Sequence, residues 1–162
     1  MTYGSATDAG GVPDYLRSVH GGREPAPDLV AEFQRRYGLI GRSPLVDITA
    51  KQAEALQRAL DEKFEAGTFL VDIGMLHSAP RIDEAIGRLT EKGVNSVLAI
   101  TLAPQFSPII LSGYQRALDR VAASRNIGIT LAGAWHRQPA LIGSLADRLL
   151  AALEAFPLPP IE

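Results

Sequence analysis

Apolar residues along this 162-residue chain follow two rhythms, one nearly continuous and one at helical spacing. Three short runs are almost unbroken: residues 68–73 (TFLVDI), 96–102 (SVLAITL) and 127–134 (IGITLAGA). Runs this short, rich in β-branched and aliphatic residues and lacking polar alternation, predict strands covered on both faces. Residues 1–3 read as the stub of a fourth strand whose apolar beginning is missing, as expected of a truncated or misassigned start. The intervening segments carry helical periodicity. Thr49-Ala50-Lys51-Gln52 has capping-box spacing and leads into Ala53, Leu56, Leu60 and Phe64 on one face. Ser78-Ala79-Pro80 predicts a second start, with Ile82, Ile86 and Leu89 following and Gly93 placed to end the helix. Residues 107–125 present Leu111, Tyr114, Leu118 and Val121, and a last helix opens near Pro139 with Leu141, Leu145, Leu149 and Leu153. Two shorter helices are expected over 12–17 and 28–37, joined by the turn-rich 21–25.

Strand and helix in alternation imply right-handed crossovers, hence an α/β three-layer sandwich with a four-stranded parallel sheet. Ligands of such sheets bind beyond the carboxyl ends of the strands. Tyr3-Gly4, Gly74 to His77 and Ala103 to Ser107 fall at those ends, and residues 5–45 are long enough to fold over as a cleft wall. One domain is expected over 1–156, with 157–162 as a linker-like tail.

Composition narrows the function classes. With 46% hydrophobic and 21% charged residues the chain is globular. A net charge of -2 leaves no basic footprint for nucleic acid. There are no cysteines, which excludes disulfides, thiolate metal sites and Cys nucleophiles and suits a reducing cytoplasm. The longest apolar run, 97–104, falls well short of the ~20 residues that span a bilayer, so at most peripheral membrane contact is expected. Positive charge is mostly arginine, lysine occurring only at 51, 63 and 92, so any single Arg is weak evidence for an anion site. No GxGxxG, GxxxxGK, HExxH or GxSxG string is present, and His20, His77 and His136 are scattered. A flavodoxin-like sheet holding a phosphate at its helix N-termini would use the same strand ends, but residues 3–9 do not resemble a phosphate cradle.

Four strings carry the remaining chemistry: Tyr3-Gly4-Ser5-Ala6, Gly22-Arg23-Glu24-Pro25, Arg36-Tyr37-Gly38-Leu39-Ile40-Gly41-Arg42-Ser43-Pro44-Leu45, and Leu102-Ala103-Pro104-Gln105-Phe106-Ser107. Tyr3 is either a phenol pointing into the cleft or an aromatic packing under the next loop. Arg36 is either a carboxylate clamp or a cation placed by the helix dipole, worth ~0.3–1 kcal/mol. Together these strings resemble the N-terminal domain of the ferrochelatase family, closest to the coproporphyrin III branch. The first departs from that family's Tyr-Gly-Thr-Pro by keeping the hydroxyl and losing the proline. The second follows His20-Gly21 where the family has a basic pair. The fourth has Gln105 where the family has histidine, and glutamine neither titrates nor binds metal strongly.

The resemblance implies a Rossmann-like chelatase half-domain that grips a porphyrin. A porphyrin is a flat apolar disc with carboxylates on one edge, so it calls for an apolar cleft with cationic and hydroxyl donors at its rim. The substrate-binding candidates are Tyr3, His20, Arg23, Arg36, Tyr37, Ser43 and Tyr114, with Tyr3 also a candidate axial iron ligand and Tyr114 also readable as core packing. Ferrous iron would be a substrate, and no organic cofactor is expected. The family's catalytic His and Glu lie in its second domain, so no residue here is assigned metal insertion. Three readings stand: the front half of a ferrochelatase that inserts iron into coproporphyrin III or protoporphyrin IX with a second ferrochelatase-like domain, a half-size chelatase completed by homodimerisation, or a non-catalytic porphyrin-binding module.

Overall fold

In the computed structural model, which describes residues 1–156, the order is α1 (Val12–Val19), α2 (Pro27–Ile40), α3 (Leu45–Lys63), α4 (Ile82–Glu91), β1 (Ser96–Ala99), α5 (Pro108–Arg125), β2 (Gly128–Leu131) and α6 (Pro139–Ala155). The tail expected at 157–162 lies outside the described residues. β1 and β2 pair in parallel, Ser96 opposite Gly128 through Ala99 opposite Leu131, with α5 as the crossover. The alternation of strand and helix is thus parallel α/β, as the apolar rhythm implied.

The four-stranded sheet is not what forms. Among the described residues only two strands are ladders, and residues 68–73, expected as a strand, are not one. The segments nevertheless lie side by side. Met1 N donates to Ile100 O at 2.6 Å, and Leu102 N donates to Met1 O at 2.8 Å. On the other flank Thr2 N donates to Gly74 O at 3.2 Å, and Leu76 N donates to Thr2 O at 3.0 Å. The physical reason is length: the segment between the two flanks contributes only Met1, Thr2 and Tyr3, too few for a ladder. Residues 69–71 are served instead by Gln57 of α3, whose amide donates to Phe69 O at 2.9 Å and whose carbonyl accepts from Val71 N at 2.8 Å.

Two helix starts differ from expectation. α3 begins at Leu45, so Thr49 is inside the helix and its buried hydroxyl donates back to Leu45 O at 2.7 Å. A threonine can satisfy itself that way in a helix, and the capping-box spacing at 49–52 was therefore misleading. α4 begins at Ile82 rather than at Ser78, because the Glu84 carboxylate accepts from Arg81 N at 2.7 Å and caps the helix there. Gly93, at φ +86°, follows the end of α4 as its spacing required. The Ser107 hydroxyl accepts from Ile110 N and starts α5.

Burial divides into two clusters. Ile82, Ile86, Ala99, Tyr114, Leu118 and Val121 pack α4 and α5 onto β1. Ala6, Val12 and Leu16 form a second cluster, against which Tyr15, Leu29, Phe33 and Tyr37 pack, joining α1 to α2. The loop at residues 3–7 runs between these clusters.

Candidate functional site

The loop that leaves residues 1–3 turns at Gly4, whose φ of +95° is open to glycine. A Cβ there would lie 2.6 Å from Ser78 Oγ, so the same glycine also permits close packing on the segment that carries His77 and Ser78. Ser5 N donates to Ser78 Oγ at 3.1 Å, and His77 N donates to Tyr3 O at 3.0 Å. Tyr3, 42% exposed, sets its ring 4.5 Å from the His77 imidazole at an interplanar angle of 57°. The His77 Nδ1 lies 3.1 Å from Ser18 Oγ on α1. Burial, then the nearby Arg81 charge, depresses the His77 pKa, and the Ser18 contact opposes this.

The opposite side of the loop is held by the long motif at residues 36–45. Ser5 Oγ and Tyr37 Oη are 2.7 Å apart, and Ser43 N donates to Thr7 O at 2.8 Å. Two strings separated by about thirty residues in sequence thus meet at one loop. Ser43 Oγ accepts weakly from Leu45 N at 3.4 Å, so its own proton stays available to a ligand.

All four tyrosines of the chain, Tyr3, Tyr15, Tyr37 and Tyr114, group around this loop. Burial and then the proximity of Tyr37 and Tyr3 raise the Tyr15 pKa. Tyr114 is 1% exposed, and burial, then Tyr3 and Tyr15, push it up to about 12. Its phenol stays protonated, and in this structure it forms the wall behind Tyr3 rather than a surface open to a ligand. Tyr15 was not singled out from the sequence, although Val12, Tyr15, Leu16 and Val19 form an i, i+3, i+4, i+7 stripe that could have marked it.

The cations are less tightly grouped. Arg36 donates through Nε to Glu32 at 2.7 Å and lies 5.6 Å from the Phe33 ring centroid, with its side chain 60% exposed. His20 caps the end of α1, and Arg23 Nε donates to His20 O at 3.2 Å. Between them Gly21 and Gly22 take φ of +67° and +90°, so glycine at 21 serves the turn where a basic side chain would strain it. Gln105 is exposed beyond β1, in a segment held where Trp135 N donates to Pro104 O at 3.1 Å. Among the described residues no group of three or more His, Asp or Glu could hold a metal ion.

The family model described as Ferrochelatase matches residues 3–161. A ferrochelatase of Herpetosiphon aurantiacus is 32% identical over 160 residues, covering 97% of this chain and 52% of that protein. A coproporphyrin III ferrochelatase of Listeria monocytogenes is 30% identical over 159 residues, again 97% of this chain and 52% of the relative. A ferrochelatase of Deinococcus radiodurans is 32% identical over 161 residues and is half covered, at 50%. The chain therefore spans about half the length of the curated relatives it matches. By this match and by the strings that meet at the loop of residues 3–7, the chain belongs to the ferrochelatase family.

Proposed function

We propose that this chain is the porphyrin-gripping half of a ferrochelatase, an enzyme that inserts ferrous iron into coproporphyrin III or protoporphyrin IX in the cytoplasm. The observation that carries the reading is the 2.7 Å contact between Ser5 and Tyr37, because it unites two family strings into one rim. In this reading the disc rests against Tyr3 with Tyr15 and Tyr114 behind. Arg36, Arg23, His20 and the hydroxyls of Tyr37 and Ser43 meet its carboxylates. The planar fork of arginine suits a carboxylate in two-point contact. Arg36 exchanges an exposed partner, Glu32, for the substrate, and exposed pairs of this kind contribute only ~0–1 kcal/mol, so the exchange is cheap.

Ferrous iron is the second substrate. Its insertion requires a base for the two pyrrole protons and imidazole or carboxylate ligands to release the metal. His77 is tied to Ser18 and Tyr3, and Gln105 cannot take a proton, so those groups are assigned to a second ferrochelatase-like domain or a second copy. Support for such a partner comes from α6, where Leu145, Leu149 and Leu153 stay 52%, 61% and 47% exposed on one face of the helix. No helix of the described residues is long and apolar enough to cross a membrane.

The test is a metal-insertion assay on the chain alone and mixed with the remaining half of a ferrochelatase relative. Turnover only in the mixture is expected. Turnover by a monomer of the chain alone would overturn the division of labour.

A further inference from the structure

Little of Tyr3 itself fixes the direction of its ring. The residue is 42% exposed, and its hydroxyl has no hydrogen-bond partner among the described residues. What the ring rests on is the His77 imidazole, 4.5 Å away between centroids, while His77 N holds Tyr3 O at 3.0 Å. The orientation of the phenol therefore depends on the orientation of the imidazole.

The last torsion of a histidine side chain is broad and two-fold, so a hydrogen bond at one ring nitrogen decides which way the ring faces. That bond is made by Ser18, whose Oγ lies 3.1 Å from His77 Nδ1 in a part-buried position. Burial and the Arg81 charge keep the imidazole uncharged near pH 7, so Ser18 holds it by hydrogen bonding and not by charge.

Ser18 also stands where α1 ends. Its carbonyl accepts from Gly21 N at 3.1 Å, closing the turn that carries His20 and Arg23. From the other side Arg17 secures that turn, with Nε and Nη2 donating to the Glu24 carboxylate at 2.9 and 3.0 Å. The two ends of Ser18 thus reach two different parts of the molecule. Leu16, two residues before it, belongs to the second cluster, whereas Leu76, beside His77, packs on the first. Among the described residues, the Ser18–His77 contact is the one hydrogen bond from α1 to residues 74–78.

We propose that Ser18 is a positioning residue, which through the His77 imidazole sets the Tyr3 ring at a fixed place relative to the turn of His20 and Arg23. This rests on the porphyrin-gripping reading. A rigid disc with carboxylates on its edge meets an aromatic face and a set of cations together only if the spacing between them is held, and misplacement by about 1 Å is enough to weaken such a site.

The experiment compares the unsubstituted full chain with Ser18→Ala and Ser18→Thr, each well below its unfolding midpoint. Nuclear Overhauser contacts between the Tyr3 and His77 rings are measured without ligand, and affinity is measured by Soret titration with coproporphyrin III. Ser18→Ala is expected to weaken the ring contacts and to lower affinity about ten-fold, the effect of one lost hydrogen bond. Ser18→Thr keeps the hydroxyl and is expected to restore both. Unchanged affinity in Ser18→Ala, or an equal loss in Ser18→Thr, would overturn the proposal and leave the porphyrin reading standing. No Soret shift with the unsubstituted chain would overturn that reading and this inference with it.

Discussion

The hydroxyls of Tyr37, on α2, and Ser5, in the first loop, lie 2.7 Å apart, and this contact joins the first loop to α2. Ser5 also donates to Ala6 O at 2.9 Å, so Tyr37 is left to donate to Ser5, and the two hydroxyls act as one chain of donors. Tyr37→Phe removes one hydrogen bond and keeps the ring packed on the second cluster. A loss of ~0.5–1.5 kcal/mol in unfolding free energy is expected by denaturant titration, together with weaker porphyrin binding.

Arg36 separates binding from stability. Its pair with Glu32 is exposed, so Arg36→Ala should cost at most ~0.5 kcal/mol of stability. Porphyrin affinity should fall by about 1.5–3 kcal/mol if the guanidinium holds a carboxylate. Affinity unchanged within error would leave Arg36 as a helix-end charge.

Gly4 is predicted to be the most sensitive position of the loop. Gly4→Ala places a Cβ at a φ of +95° and against Ser78 Oγ, so the loop must shift. A loss of about 2 kcal/mol or more is expected, and fluorescence of the tyrosine group would report the displacement.

Acidification acts through His77. Its pKa in the folded chain lies below the ordinary 6.5, so the unfolded chain binds the proton more readily. The contribution is complete above the unfolded value and declines as pH falls below about 6.5. His77→Gln should flatten the stability profile between pH 7.5 and 5.5, in a window where carboxylates stay ionised. An identical slope in both forms would remove His77 from this role.

The Asp72–Arg88 pair ties the unpaired segment to α4 through two bonds of 2.9 Å. Burial alone would raise the Asp72 carboxyl, but the Arg88 guanidinium holds it below the usual carboxylate range. Arg88→Ala leaves that carboxylate half-buried without its partner, and a loss of ~1–3 kcal/mol is expected in thermal or denaturant unfolding.

The sequence was legible where local chemistry decides structure. Ser107, Pro139 and Gly93 mark helix ends because a side-chain oxygen, a missing N–H or a positive φ acts within one turn. Thr49 misled because the same hydroxyl can cap a helix or bond back within one, and only the Pro44 turn upstream decides between them. Residues 68–73 have the composition of a buried strand, but pairing depends on a neighbour, which no periodicity in the segment itself encodes. Tyr3, Tyr37 and Ser43 could be singled out from their strings, and the structure brings Tyr37 and Ser43 to the loop that begins at Tyr3. The contact of Ser18 with His77 spans 59 residues, and the place of Tyr15 among the tyrosines is likewise a product of tertiary packing.

The most direct test of a porphyrin-gripping jaw is a Soret-band titration of coproporphyrin III with the chain alone. A saturable shift with one porphyrin per chain, weakened in Arg36→Ala and Tyr37→Phe, is the predicted result. A Soret band that stays unchanged in excess protein would contradict it.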